Sequence, residues 1–176
     1  EASGQAVTQL SKQRAAQAAP AYAAAWEAGS TVNLKPFDDA LMETAESFQP
    51  LKGTLKRIRG NYTKPVKTDG VTSPAIRDDV NLEYVQDNIK EVLDDEISVA
   101  IRAGANKKAM RLQELQGKLL QSLDAQVPEY AGARKVWGDL SRPIDEIEAG
   151  ILPILANKNI KDFEYMGARF LTTSSP

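Results

Sequence analysis

NLEYVQDNIKEVLDDEISVAIRAGANKKAMRLQELQGKLLQSLDAQ, residues 81–126, holds the longest regular pattern in the chain. Leu82, Val85, Ile89, Val92, Leu93, Ile97, Ala100 and Ile101 recur at spacings of three and four, the stripe of an amphipathic helix, and Glu96 alone breaks it. Asn81 is placed to cap that helix, which should run to Ala103 over about 34 Å. Gly104 suits the left-handed conformation that ends helices, and Asn106 suits the next N-cap, so a short turn should set two antiparallel helices side by side. Ala109, Met110, Leu112, Leu115, Leu119, Leu120 and Leu123 then form the inward stripe of the second helix. Gly117 within it suggests close approach of a neighbouring helix.

Working outward, Pro128 opens a third helix with Tyr130, Ala133, Trp137 and Leu140 on one side, and Pro143 kinks or restarts it. Ile144, Ile147, Ile151, Leu152, Ile154 and Leu155 continue the apolar run. A last short helix is expected over residues 160–170. Upstream, residues 3–28 are rich in Ala and Gln at helical spacing, with Tyr22 and Trp26 one turn apart; Pro20 either kinks this helix or starts a second. Two short helices follow, one from Phe37 to Phe48 and one after Pro50 with Leu51, Leu55 and Ile58 inward. Residues 60–76 contain Gly60, Pro65, Gly70, Ser73 and Pro74 and read as irregular. The expected fold is therefore all-α: an antiparallel three-helix core over about 81–150, N-terminal helices in 1–59, an irregular basic linker at 60–80, and a C-terminal helix and tail in 151–176.

Composition limits the chemistry. The 176 residues are 42% hydrophobic but only 6% aromatic, so burial must rely on aliphatic side chains and close helix contacts. There is no cysteine for a disulfide or thiolate, and no histidine for an imidazole base or metal ligand. Neither phosphate-loop nor nucleophile-elbow motifs occur, which argues against most familiar enzyme classes. Asp87, Glu91 and Asp94 offer an acidic ladder, but without a Glu-x-x-His partner it reads as solvated or ion-paired surface, and no cofactor or metal is expected. No apolar run is long enough to span a bilayer. The opening at Glu1 reads as an excised or processed piece of something longer.

Two constellations stand out. Lys52, Lys56, Arg57, Arg59, Lys64 and Lys67 occur without an intervening acid and with Tyr62 among them, which fits either a phosphate-contacting surface or a solvated face complementing the acids that follow. Arg134 lies four residues after Tyr130 and three before Trp137. It should stack on one of those rings or bind a carboxylate such as Asp94 or Asp124 as a structural staple, with recognition of an external anion as the other option.

The pattern NLEYVQDNIKEVLDDEI, the leucine helix and PEYAGARKVWGDLSRPIDEIEAG together resemble helical segments of large, mostly uncharacterised proteins of tailed bacteriophages and prophages. Leu82, Tyr84, Val85, Leu93, Asp94, Asp95, Ile97, Gly104, Pro128, Tyr130, Ala133, Arg134, Trp137, Ser141, Asp145, Glu148 and Gly150 carry the likeness, with Tyr22 and Gly29 in the lead-in APAYAAAWEAG. The chain departs from it at Val136 and Trp137, and in its acidic density and basic segment. The resemblance implies a non-enzymatic virion-associated structural protein, an internal or ejected one among them, located in the virion or in the host cytoplasm during assembly. Its partners would be other phage structural proteins or copies of itself, with DNA as the further option through the basic segment.

Overall fold

The computed structural model describes residues 2–156, and these are mostly helical. Helix α1 spans Ala2–Ala28, α2 Lys35–Ser47, α3 Lys52–Gly60 after a single 3-10 turn at Gln49–Leu51, α4 Leu82–Val85, α5 Glu91–Arg102, α6 Asn106–Gln126 and α7 Pro128–Ala156. Strands β1 (Thr63–Thr68) and β2 (Val71–Ile76) form one antiparallel hairpin. The chain divides into two compact units: Pro20–Arg134, and a unit joining the two ends, of which residues 2–19 and 135–156 are described.

In the first unit, Asn81 does cap its helix, its side-chain oxygen accepting the Tyr84 N–H at 2.8 Å. From Leu82 the rod continues through a wide turn at Gln86–Lys90, where the Glu91 N–H reaches back five residues to the Gln86 carbonyl. Gly104 has φ 69° and closes α5. Asn106 lies inside α6 instead of capping it; Ala105 holds the cap position and no side chain bonds the first-turn N–H groups. The core joins Leu82, Val85, Ile89, Leu93 and Ile97 to Leu112, Leu115, Leu119 and Leu123, and both sets to Phe37, Leu41, Leu55 and Ile58 of α2 and α3. Each fully buried Leu or Ile contributes about 1.5–3 kcal/mol. Tyr130 and Ala133, on the first turns of α7, complete the cluster with Ala25 of α1.

Three inward assignments change. Ile101 is 54% and Met110 50% exposed, because both stand off the buried stripe beside the Gly104 turn that joins α5 to α6, and Trp137 of α7 is 38% exposed. Gly117 faces open space, with nothing among the described residues within 4 Å of an added Cβ, so none of the described helices approaches it. The close approach is at Gly29, where a Cβ would lie 2.5 Å from Leu82 Cβ; here the Leu82 N–H bonds the Gly29 carbonyl at 2.8 Å.

The expected irregular linker is a hairpin. Asp69 (φ 52°) and Gly70 (φ 82°) form a two-residue turn whose left-handed backbone matches the twist of paired strands. The register sets Thr68 against Val71 and Pro65 against Pro74. Pro20 and Pro143 likewise neither break nor restart a helix: α1 and α7 run through them, and both rings lie at exposed positions where water can take the freed carbonyls.

In the second unit, Ala18 and Ile144 are buried, and the Arg14 guanidinium lies 4.3 Å from the Trp137 ring while donating to Ser141 Oγ at 3.0 Å. The helix expected over residues 160–170 lies outside the described residues.

Candidate functional site

Asp38, in the first turn of α2, is buried at 6% exposure. Arg59, near the end of α3, donates to both of its carboxylate oxygens at 2.8 and 3.0 Å, and the Tyr62 hydroxyl donates to Oδ1 at 2.8 Å. Tyr62 is itself fully buried, its ring 5.9 Å from that of Phe37. Burial alone would raise the Asp38 pKa, but the Arg59 and Tyr62 hydrogen bonds outweigh it and hold the carboxyl below its ordinary value. Burial first, and then the bond to Asp38, pushes the Tyr62 hydroxyl far up. The result is a closed charge-assisted cluster joining α2 to the root of the hairpin.

A second polar cluster fixes the same root. The Asn61 side-chain amide donates to the Asn88 carbonyl at 2.8 Å in the wide turn, and the Tyr84 hydroxyl donates to the Asn61 carbonyl at 2.6 Å. Arg77, where the chain leaves β2 at the root of the hairpin, lies 5.2 Å from the Tyr84 ring, and its backbone N–H bonds the Tyr62 carbonyl at 2.9 Å.

These contacts consume much of the basic segment. Arg59 and Tyr62 face inward; Arg57 pairs with Glu96 of α5; Lys64 lies 3.7 Å from Asp78. Tyr62 therefore offers no exposed ring to a nucleic acid, and the run from 52 to 67 is not one continuous basic face. Lys52, Lys56 and Lys67 remain exposed. Glu96, the one break in the apolar stripe, is explained by its partner on α3.

Arg134 lies 4.7 Å from the Tyr130 ring and donates from Nη2 to both oxygens of Asp124 at 2.5 and 2.6 Å. Its buried Nε has no hydrogen-bond partner among the described residues. Tyr130 in turn donates to Gln86 in the wide turn, and burial raises its hydroxyl pKa well above the usual tyrosine value. The Trp26 ring packs on Tyr130 at 6.1 Å and on Tyr22 at 5.3 Å. Trp137 belongs to the other unit, where it carries Arg14.

The acidic ladder does not stay together. Asp94 accepts from Lys90 at 2.7 Å and from Gln116 at 2.6 Å, while Asp87 and Glu91 are exposed. Among the described residues no group of three acids converges on a metal position, and no helix is long and apolar enough to cross a membrane. A shallow hollow between Asn33–Pro36 and α6 is lined by Lys118, Gln121 and Ser122, and Gln126 crosses it to clamp the Asn33 backbone at 2.7 and 3.0 Å. It offers no acid–base pair. The chain matches no protein-family model, no curated protein and no solved structure.

Proposed function

We propose that this chain is a non-enzymatic structural module that assembles through its helix surfaces, and that the assembly is a bacteriophage or prophage particle, with the virion or the host cytoplasm as its location. One observation carries the non-enzymatic reading. The polar groups that the fold draws inward are engaged with neighbours instead of converging on a cleft: Asp38 bonds Arg59 and Tyr62, Arg134 bonds Asp124 and stacks on Tyr130, and the Tyr130 hydroxyl bonds Gln86. The particle assignment comes from the sequence resemblance. In this reading α4–α5, α6 and α7 act as an antiparallel three-helix core, the first two packed through Leu93, Leu112 and Leu119 and the third entering at Tyr130 and Ala133. The partners are other particle proteins or copies of the chain. Peptide mass spectrometry of density-purified particles should find the chain at a fixed ratio to the major structural proteins; its absence from them would overturn the assignment.

A second function rests on Lys52, Lys56 and Lys67, which stay exposed. If this remnant of the basic segment contacts DNA, low-salt duplex binding followed by fluorescence anisotropy should weaken in the K52A/K56A/K67A variant. Unchanged or absent binding removes that reading.

A further inference from the structure

We propose that the α5–α6 tip docks on the acidic ridge of a second copy of this chain, a step that names the partner within the assembly reading above. Val99, Ile101 and Met110 are 52%, 54% and 50% exposed around the Gly104 turn. A single exposed aliphatic side chain means little, but three beside one turn form a surface that gains from being covered. Arg102, Lys107 and Lys108 lie among them, exposed and without an ion pair among the described residues, and no acid occurs from Ile97 to Gln113. Lys107 and Lys108 occupy the first turn of α6, where the positive end of the helix dipole disfavours cations and no side chain caps the N–H groups. An anionic partner would offset that unfavourable local field.

The chain itself carries the complement. Glu83, Asp87, Glu91 and Asp95 follow one another at four-residue intervals along the 82–102 rod, all exposed and none in an ion pair among the described residues. Side chains at that spacing share a side of a helix, and like charges there repel. The ridge spans about 18 Å at the usual helical rise. The ridge begins at the start of the rod and the tip closes its other end, so two copies laid antiparallel about a two-fold axis bring each tip onto the ridge of the other. The tip has no aromatic ring on which a nucleic-acid base could stack, which favours a carboxylate-bearing protein surface.

Sedimentation equilibrium on the whole chain tests this docking directly. The unmodified protein should dimerise reversibly in 50 mM salt, with Kd rising about tenfold or more in 500 mM salt as screening shortens the reach of each charge. R102E/K107E/K108E and E83K/D87K/E91K should each lose dimerisation by about tenfold or more, and mixing the two should restore it in the mixed pair, since both contacts are then complementary again. Circular dichroism on each variant separates loss of docking from loss of fold. A monomer at every concentration and salt, or dimerisation indifferent to the reversals, overturns the proposal. So does binding to phosphatidylserine vesicles that R102E/K107E/K108E abolishes while the chain stays monomeric, which would assign the tip to a lipid surface. A monomeric chain still found in purified particles would defeat this docking and leave the assembly reading intact; a dimer absent from particles would do the reverse.

Discussion

Two stretches of this chain are rich in cations, and the fold treats them in opposite ways. Between Lys52 and Lys67, Arg57 and Arg59 reach across to Glu96 and Asp38, and Tyr62 is buried on the same aspartate. Between Val99 and Arg111, Arg102, Lys107 and Lys108 remain exposed beside exposed aliphatic side chains, and among the described residues only Arg111 pairs, with Glu114 one turn on. Charge density along the sequence therefore does not locate a binding surface. What distinguishes the two stretches is whether an acid from another element lies within reach once the helices have packed.

The largest effect should come from removing the acid that ties down the first stretch. Asp38→Ala leaves a mostly buried guanidinium and a buried hydroxyl uncompensated, and should cost about 3–5 kcal/mol in urea unfolding; a loss below about 1 kcal/mol would mean that Arg59 simply swings into water. The same carboxylate sets a pH dependence. Its folded pKa lies below its ordinary value, so its contribution is fully present above the unfolded pKa near 4 and disappears as pH falls through the lower folded value. Thermal melts of Asp38→Asn should therefore show a flatter acid limb than the unmodified chain. Tyr62→Phe, which keeps the ring and the Arg59 pair, should cost less, about 1–2 kcal/mol.

Toward the second stretch the effects should shrink and change sign. Gly117→Ala on α6 meets open space and should stabilise by up to about 1 kcal/mol, read from the urea midpoint; destabilisation would reveal a neighbour that the described residues do not contain. Neutralising Arg102, Lys107 and Lys108 together should move stability by no more than about 0.5 kcal/mol. A larger loss would show that the tip is tied into the fold as firmly as the first stretch.

Legibility in the sequence follows the range of the interaction. The α5–α6 pair was readable because its stripe repeats every turn, and Asn81 and Gly104 mark boundaries by local backbone chemistry. Even Glu96 announced itself as the break in the stripe, although nothing nearby named Arg57. Asp38, Arg59 and Tyr62 meet across more than twenty residues with no period connecting them, so the charges could be read as a patch but not as a cluster. The Arg134 staple on Tyr130 and Asp124 was half visible, since the ring is one turn away while the choice of carboxylate depends on packing. Pro65 and Pro74 misled for a different reason. Proline argues against a strand when its N–H would have a partner, and here neither would.

That placement has a further consequence. Counting from the Thr68–Val71 pair that closes the turn, every second pair points its backbone groups away from the partner strand, and Pro65–Pro74 falls on such a pair. A lone two-stranded hairpin presents two open edges, the usual template for fibril growth. With a ring in place of the N–H at the middle of each edge, a foreign strand finds no donor there. The hairpin can project from the fold without seeding aggregation.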